Sequence, residues 1–247
     1  MRFNSDQIQK IGKEISSKVD GKTLFDEFSR GRYSTDASVY QIKPLGVVLP
    51  KDTNDVLSLM EYSQKNSVPL LARGGGSSQC GQTVGESVVL DYSKHQNKIL
   101  ELNVEEKYVW VQPGVVLDHL NAYLKPHGLW FPVDVSTSSR ATIGGMSANN
   151  SCGSRSLYYG NMVHNVLAIE AILDDGSIFN FDQINKNYLA TKNNQDRLYK
   201  IIDKFIDVRQ QVGGEIDANW PTTQRRVGGY NIDLIDPEGF NSSNLLV

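Results

Sequence analysis

The chain has 247 residues, of which 39% are hydrophobic and 21% are charged, and its formal net charge at pH 7 is −3. This length and composition are typical of a globular protein with one large domain or two small ones. Because there is no run of lysine or arginine and no apolar stretch of bilayer length, we expect no nucleic-acid partner and no membrane span.

The first predicted element is an amphipathic helix over residues 5–19. It is predicted from apolar residues at helical spacing, which are Ile8, Ile11, Ile15 and Val19. A short apolar strand follows at residues 46–49 and ends at Pro50.

A helix and a second strand follow the strand at residues 46–49. Asp52 or Thr53 can cap a helix that runs to about Asn66, with Val56, Leu57 and Met60 facing inward. Residues 68–72 form the next strand. This order predicts a βαβ unit with a right-handed crossover, and ligands of such sheets bind at the carboxyl ends of the strands.

A glycine-rich loop follows that second strand, in the stretch LLARGGGSSQCGQTVGESVVL at residues 70–90. Gly74, Gly75 and Gly76 permit positive φ and close approach of the backbone, and successive N–H groups in such a turn suit a phosphate. Ser77 and Ser78 add hydroxyl donors, and Arg73 before them adds a charge. We interpret the loop as a pyrophosphate cradle, with a flexible surface loop as the alternative.

Two better-known glycine motifs are excluded. Residues 76–83 spell G-x-x-x-x-G-Q-T, but Gln82 stands where a P-loop has lysine, and a strand follows in place of a helix. The sequence also has no G-x-G-x-x-G that opens a helix, so it gives no support for a Rossmann site.

The following residues are rich in predicted strands. Residues 88–92 form a strand, and residues 98–103 and 107–112 form a hairpin that ends at Pro113-Gly114. A helix is predicted at residues 115–125, and Gly128 after it provides the helix-terminating glycine. Residues 165–173 and 177–181 form a second hairpin. The last predicted helix, at residues 195–212, buries Leu198, Ile201, Ile202, Phe205 and Val208.

The second informative segment is STSSRATIGGMSANNSCGSRSLYYG at residues 136–160. At this length an irregular connection is usually functional or disordered, and its glycines and amide side chains favour function. Cys80 and Cys152 are too few for a disulfide framework and fit a reducing compartment, so we expect a cytoplasmic location, with peripheral attachment to a membrane left open. The four histidines have no metal spacing.

Taken in order, RGGGSSQCGQ, VQPG, WFPVD, ATIGGMSANNSCGSRSLYYG, NVLAIEAILDDG and GGYNIDL resemble the FAD-binding domain of FAD-linked oxidases of the vanillyl-alcohol oxidase type. Within this superfamily the chain is similar to the D-lactate dehydrogenase and glycolate oxidase branch. The resemblance implies an α+β fold with two subdomains and FAD bound between them. It places an N-terminal helical segment at residues 1–43, a small βαβ subdomain at 44–97 and a larger, mostly antiparallel subdomain at 98–247.

The resemblance also implies the cofactor contacts. The pyrophosphate loop corresponds to Arg73, Gly74, Gly75, Gly76, Ser77, Ser78, Gly81 and Gln82. The strip along the ribityl chain and ring corresponds to Pro113, Gly114, Pro132, Asp134, Thr142, Gly144, Gly145, Ala148, Asn149, Ser151, Gly153, Ser154, Tyr159 and Gly160, with a backbone contact at Val166.

The chain departs from the family at two positions. Relatives that tether the flavin covalently often have histidine after the glycines, where this chain has Ser77, so we expect non-covalent FAD. His164 stands where relatives often have aspartate. We expect the chain to end before a substrate domain that would supply the catalytic base, so no catalytic residue is assigned.

The resulting hypothesis is the FAD-binding domain of an oxidoreductase that transfers a hydride from a D-2-hydroxy acid to flavin, with a separate electron acceptor. A stand-alone flavin- or nucleotide-binding module and a cell-wall precursor (UDP-N-acetylenolpyruvoylglucosamine) reductase are the alternatives.

Overall fold

The computed structural model describes residues 3–185, 197–223 and 225–247. The chain divides into two compact units. Unit 1 comprises Met1–Phe131, Ser136–Gly145 and Asp174–Gly176, and unit 2 comprises Pro132–Val135, Met146–Leu173 and Ser177–Val247. Each unit combines helices with small sheets, which confirms the α+β class.

Unit 1 begins with helix α1 (Ser5–Ser16), which buries Ile8, Ile11 and Ile15 as their spacing predicts. The helix starts with a capping box, in which Asn4 Oδ1 accepts from the Gln7 amide at 2.9 Å and Gln7 Oε1 accepts from the Asn4 amide at 2.8 Å. This reciprocal pair satisfies two amides that no helical carbonyl can reach. Strand β1 (Lys22–Leu24) and helix α2 (Glu27–Arg32) follow.

A four-stranded sheet forms the centre of unit 1, with the order β1-β2-β4-β3. Strands β2 (Gly46–Leu49) and β3 (Leu70–Arg73) both pair in parallel with β4 (Val88–Asp91), and β1 pairs antiparallel with β2. The predicted βαβ unit is present but split, because β4 lies between its two strands. Every residue of β4 is buried, as expected for a central parallel strand covered on both faces.

Helix α3 (Thr53–Asn66) connects β2 to β3. Of the two predicted caps, Asp52 is the one that caps the helix, with its carboxylate accepting from the amides of Asn54 and Asp55. The predicted inward face was partly wrong. Val56 is buried, but Leu57 and Met60 are only half-buried, and the helix instead buries Leu59 and Tyr62.

The remainder of unit 1 contains the predicted hairpin of β5 (Ile99–Asn103) and β6 (Tyr108–Val111). Helix α4 (Leu117–Leu124) packs against it, and a single 3-10 turn (Lys125–His127) then ends at Gly128 with φ 69°. The shared core includes Val115, Leu120 and Leu124. Burial of each such side chain contributes about 1.5–3 kcal/mol before the entropic cost of ordering it.

Two short helices interrupt the segment that was predicted to be an irregular loop at residues 136–160. These are α5 (Ile143–Ala148) and α6 (Ser156–Tyr159), and a 3-10 turn (Met162–His164) follows them. Small residues such as those of α5 give no periodic apolar signal, so the pattern did not reveal these helices.

Unit 2 contains two antiparallel pairs. Strand β7 (Ile169–Ile172) pairs with β8 (Ile178–Phe181) as predicted, and β9 (Gln183–Asn185) pairs with β10 (Gly239–Asn241). Helix α7 (Arg197–Asn219) packs against these strands. Its side chains Leu198, Ile202 and Ile206 form a hydrophobic core with strand residues that include Phe181, Ile184 and Phe240.

The predicted start of α7 at Gln195 lies outside the described residues. The predicted buried face of this helix was wrong in part. Val208 is 36% exposed and Ile206 is buried in its place, because the buried stripe continues from Ile202 by four residues. None of the described helices is long and apolar enough to cross a bilayer.

Candidate cofactor-binding site

The glycine loop begins where two parallel strands of unit 1 end together. Arg73, the last residue of β3, is in register with Asp91, the last residue of β4, and the Tyr92 amide donates to the Arg73 carbonyl at 3.0 Å. The loop therefore leaves the carboxyl edge of the sheet, where the sequence predicted it and where ligands of such sheets bind.

Gly74 and Gly75 contact a segment that lies far away in the sequence. A Cβ atom on Gly74 would lie 2.1 Å from Thr142 Oγ1, and one on Gly75 would lie 2.2 Å from the Arg140 carbonyl oxygen. No side chain fits at either position. The prediction attributed these glycines to room for a phosphate, but protein atoms occupy the space beside each Cα, so the glycines first of all let two segments of unit 1 meet.

The backbone amides of this loop are available to a ligand. The N–H groups of Gly74, Gly75, Gly76 and Ser77 have no acceptor among the residues that the structure describes. Gly76 has φ 62°, in the left-handed region that favours glycine. A run of unpaired amides in such a turn forms an anion-binding concavity.

Arg73 holds the loop in place. Its guanidinium donates to the carbonyl oxygens of Thr35 at 2.8 Å, Thr83 at 3.1 Å and Tyr33 at 3.4 Å, and it lies over the Tyr33 ring at 5.3 Å. Burial lowers the pKa of Arg73, yet a guanidinium remains charged at neutral pH. Because Thr83 lies at the far end of the loop, Arg73 connects its two ends and has a positioning role.

The second half of the loop is bonded internally. Ser78 Oγ donates to Gln82 Oε1 and accepts from the Cys80 amide at 3.2 Å. Gly81 has φ 75°, and its Cα lies against the Tyr40 ring, where a Cβ would be 2.5 Å from Cδ2. These contacts give the second half of the loop a defined shape.

Further predicted residues meet in unit 1. The Gly144 amide donates to the Pro113 carbonyl at 2.9 Å, and a Cβ on Gly144 would lie 2.5 Å from Pro113 Cβ. The Gly114 amide donates to the Gln96 carbonyl at 2.8 Å. Thr142 is buried, and its Oγ1 accepts from the Gly145 amide at 3.4 Å. The structure thus brings together thirteen of the predicted residues in unit 1 as neighbouring segments, namely Arg73, Gly74, Gly75, Gly76, Ser77, Ser78, Gly81, Gln82, Pro113, Gly114, Thr142, Gly144 and Gly145.

A cleft of about 360 Å³ lies beside the first two glycines of the loop. Four of its side chains are cationic and one is a carboxylate; its lining is Arg32, Tyr33, Arg73, Gly74, Gly75, Asp91, Ser93, Lys94, Val116 and Arg140. The carboxylate of Asp91 is buried and already bonded, accepting from the Tyr33 hydroxyl at 2.6 Å and from the Ser93 amide at 2.8 Å. Burial and this bond to Asp91 raise the pKa of Tyr33, so its phenol stays neutral.

Other predicted residues lie in unit 2, where Asp134 organises a turn. Its carboxylate accepts from Ser154 Oγ at 2.7 Å and from the Arg155 amide at 2.9 Å. Burial alone would raise the pKa of Asp134, but these hydrogen bonds outweigh burial and lower it. A Cβ on Gly153 would lie 1.4 Å from the Asp134 carbonyl oxygen, so Gly153 permits this turn to close.

The rest of the predicted set in unit 2 forms shorter local contacts. The Ser151 amide donates to the Met146 carbonyl at 3.0 Å, whereas Ala148 and Asn149 are exposed. Tyr159 stacks edge-on against Tyr158 with ring centroids 4.7 Å apart. The Val166 carbonyl, predicted as a cofactor contact, accepts from Asn241 Nδ2 at 3.0 Å. Pro132 and Gly160 complete the unit 2 set.

The structure explains His164, for which the sequence offered no physical account. Its Nδ1 accepts from the Asn161 amide at 3.0 Å, and its ring lies against Gly160, which has φ 77°. His164 therefore closes a local turn. Among the described residues, no group of three His, Cys, Asp or Glu side chains is placed to hold a metal ion.

Two buried asparagines lie outside the set of predicted cofactor contacts. Asn150 has φ 41°, and its Oδ1 accepts from the Val163 amide at 3.1 Å while its Nδ2 donates to Asn231 Oδ1 at 3.4 Å. Asn231 Nδ2 donates to the Val247 carbonyl at 2.7 Å. The N-N-S run was a signal, because asparagine tolerates the left-handed region better than most residues.

An α+β fold with a glycine loop at the carboxyl end of parallel strands is typical of proteins that bind a phosphate-bearing cofactor. Residues 44–182 match the family model described as FAD binding domain. The match covers more than half of the chain, so the chain belongs to this family, and the resemblance predicted from the sequence is confirmed.

Similar curated proteins include two dehydrogenases and an oxidase subunit. The chain is 36% identical over 240 residues to D-2-hydroxyglutarate dehydrogenase of Pseudomonas putida, which covers 94% of this chain and 24% of that protein. It is 34% identical over 226 residues to the protein of the same name in Haemophilus influenzae, covering 86% and 22%. It is 37% identical over 176 residues to glycolate oxidase subunit GlcD of Bacillus subtilis, covering 69% and 37%. The chain spans less than a quarter of the length of the two dehydrogenases.

Solved structures share the fold at low identity. Physcomitrella patens BBE-like 1 aligns with a TM-score of 0.61 at 20% identity, covering 76% of this chain and 39% of that one. The 6-hydroxy-D-nicotine oxidase of Arthrobacter nicotinovorans aligns with a TM-score of 0.58 at 16% identity, covering 66% and 36%.

Proposed function

We propose that this chain is the FAD-binding part of a flavin-dependent dehydrogenase that oxidises a D-2-hydroxy acid. The observation that carries the proposal is the run of amides at Gly74, Gly75, Gly76 and Ser77, for which residues 3–185, 197–223 and 225–247 offer no acceptor. These amides lie at the carboxyl edge of a parallel strand pair, beside a cationic cleft. A diphosphate needs several such donors in a rigid concavity, and the Arg73 contacts supply the rigidity.

The predicted contact residues divide between the two units. In unit 1, residues 73–78 with Gly81 and Gln82 would hold the diphosphate, through the amides of Gly74 to Ser77 and the Ser77 hydroxyl. Arg73 and the Ser78–Gln82 hydrogen bond would keep the loop in shape. Further backbone contacts in unit 1 would come from Pro113, Gly114, Thr142, Gly144 and Gly145. The predicted residues of unit 2 would contribute the other contacts. The placement of FAD between two subdomains and the limits 1–43, 44–97 and 98–247 are part of this proposal.

Bound FAD would supply two-electron chemistry, which is the acceptance of a hydride from the carbon that bears the substrate hydroxyl. The described residues would bind and orient that group and keep its phosphates in place. We assign no catalytic acid or base to this chain, because the relatives that share it are several times longer.

The substrate class is proposed from the names of the relatives, which are D-2-hydroxyglutarate dehydrogenase, glycolate oxidase subunit GlcD and D-lactate dehydrogenase. Each of the three names refers to the anion of a short 2-hydroxy acid, namely 2-hydroxyglutarate, glycolate or lactate. They favour the dehydrogenase over a stand-alone nucleotide-binding module and over a cell-wall precursor reductase. The electron acceptor and a cytoplasmic location are proposals for the whole protein.

We propose that FAD is held without a covalent bond. Ser77 occupies the position at which tethered relatives often have histidine, and an unactivated serine hydroxyl is a weak nucleophile. Acid precipitation of the FAD complex tests this directly. Yellow colour should stay in the supernatant, and colour that remains in the pellet would show a covalent bond.

Titration of the 247-residue chain with FAD tests the central proposal. We expect quenching of flavin fluorescence that saturates at one FAD per chain, with a shift of the visible absorption bands. A chain that folds, as judged by circular dichroism, but takes up no FAD contradicts the proposal. For the full-length protein, flavin bleaching by D-2-hydroxyglutarate, D-lactate or glycolate supports the dehydrogenase, whereas bleaching by NADPH alone supports the reductase.

A further inference from the structure

The cleft beside the glycine loop contains more positive charge than the family resemblance assigns to the site. Arg32 ends helix α2, Lys94 lies on the turn after β4, and Arg140 precedes α5. Three elements that are distant in the sequence therefore bring one cation each to the same cleft of unit 1. None of the three belongs to the set predicted from the glycine-rich motifs.

These three cations have no carboxylate partner within 4 Å in the part of the chain that the structure describes. Arg73 differs from them, because three carbonyl oxygens already occupy its guanidinium. Asp91, the one carboxylate of the cleft lining, is bonded to Tyr33 and to the Ser93 amide. Arg32 lies over the Phe28 ring, 6.0 Å from its centroid, which leaves its charge in place. Among the described residues, no carboxylate therefore pairs with Arg32, Lys94 or Arg140, and their charge is available to a ligand.

The backbone that carries these side chains is well fixed. The amides of Arg140 and Ala141 both donate to the Thr137 carbonyl at 2.8 Å, and the Arg140 carbonyl lies against Gly75. The turn that carries Lys94 is held by Asn97 Nδ2, which donates to the Ser93 carbonyl at 3.0 Å. Only the side chains need to be ordered when an anion binds, which limits the entropic cost.

We propose that Arg32, Lys94 and Arg140 form a cationic face that neutralises the cofactor diphosphate held by the amides of Gly74 to Ser77. This inference rests on the proposed function, because the diphosphate is that of FAD. The diphosphate of FAD would lie at the amide run, next to these cations, and both the guanidinium fork and the lysine ammonium are common phosphate ligands. The amides fix the position of the phosphates and the cationic face supplies the opposite charge.

Two variants test the cationic face, Lys94→Gln and Arg140→Gln, because both side chains are exposed and their loss should leave the fold intact. Each should weaken FAD binding by about five- to tenfold, as expected for an exposed charge-assisted contact to phosphate. Binding by the original chain should weaken between about 50 and about 500 mM NaCl, and the double variant should lose most of this salt dependence. Lys98→Gln, an exposed lysine four residues after Lys94 that does not line the cleft, is the matched control and should bind like the original chain.

Competition with inorganic diphosphate and with riboflavin identifies the group that is recognised. Inorganic diphosphate should displace FAD from the original chain and should do so less well in the double variant, while riboflavin, which has no phosphate, should bind equally to both. Unchanged FAD affinity and salt dependence in the double variant would overturn the inference and leave the proposed function standing. Absence of FAD binding by the folded original chain would instead overturn the proposed function, and the inference with it.

Discussion

The carbonyl oxygen of Arg140 lies 2.2 Å from the position that a Cβ atom would take on Gly75. This contact joins the glycine loop to the segment before α5, and it makes glycine necessary at residue 75 whether or not a ligand is present.

Gly75→Ala is therefore expected to reduce stability as well as cofactor binding. Overpacking of this kind typically costs about 1–3 kcal/mol, because either the loop or the Arg140 segment must move. Urea denaturation should give the loss of stability, and FAD titration should show a weaker complex. Gly31→Ala is the control, since nothing lies within 4 Å of its Cβ position and alanine favours its helix. If Gly75→Ala unfolds at the same urea concentration as the original chain, the contact is not formed in solution.

Asp55 is expected to be the most sensitive carboxylate of unit 1. It is buried and accepts from the amides of Asp20 at 2.7 Å, Gly21 at 2.9 Å and Lys51 at 2.7 Å. Asp55→Ala leaves these amides without their acceptor and should cost about 2–4 kcal/mol.

Hydrogen exchange locates the effect of Asp55→Ala, because the residues before β1 depend on these bonds and Lys22–Leu24 should exchange faster. The exposed Asp118→Ala is the comparison and should change stability by less than about 0.5 kcal/mol. An equal effect of the two substitutions would contradict the assigned role of Asp55.

The contribution of Asp134 to stability should depend on pH. Its pKa is lower in the folded chain than the ordinary value, so the contribution is present above the unfolded pKa and is lost as pH falls through the folded pKa. Below about pH 4 the melting temperature of the original chain should fall more steeply than that of Asp134→Asn, whose amide side chain does not titrate in this range. Asp207→Asn, at an exposed position of α7, should follow the original chain. Parallel melting curves for the original chain and Asp134→Asn would rule out this contribution.

Asn231 is expected to stabilise unit 2 through two buried hydrogen bonds. Asn231→Ala removes the donor to the Val247 carbonyl oxygen and the acceptor of Asn150 Nδ2, and it should lower the free energy of unfolding by about 1–3 kcal/mol. Asn219→Ala, at the exposed end of α7, is the control. Differential scanning calorimetry of both variants measures the difference, and a melting temperature for Asn231→Ala equal to that of the control would show that the pair contributes little.

Local patterns were sufficient for much of the fold. The Asp52 cap, strand β2 and both hairpins follow from capping chemistry, apolar runs and turn residues, all of which act over a few residues. The face of α3 was placed less well, because which of Leu57, Leu59 and Met60 is buried depends on what packs against the helix.

The site shows a similar division. The glycine loop and its exit from β3 were predicted from composition and strand order. The Arg73 contacts to Thr35 and Thr83 join residues 38 and 10 positions apart, and no local pattern encodes them. The meeting of Gly75 with Arg140 and the cationic face join residues still further apart in the sequence. The insertion of β4 between β2 and β3 is of the same kind, since strand order is a property of the whole sheet.

The position of β4 has a consequence for biosynthesis. Strand β3 has no other partner in its sheet, so when Arg73 leaves the ribosome the segment after it has nothing to align with. Only after Val88–Asp91 has emerged does the ladder form and fix both ends of the intervening fourteen-residue stretch at once. Capture of the nucleotide by the nascent protein must therefore wait for a strand that is synthesised after the loop itself.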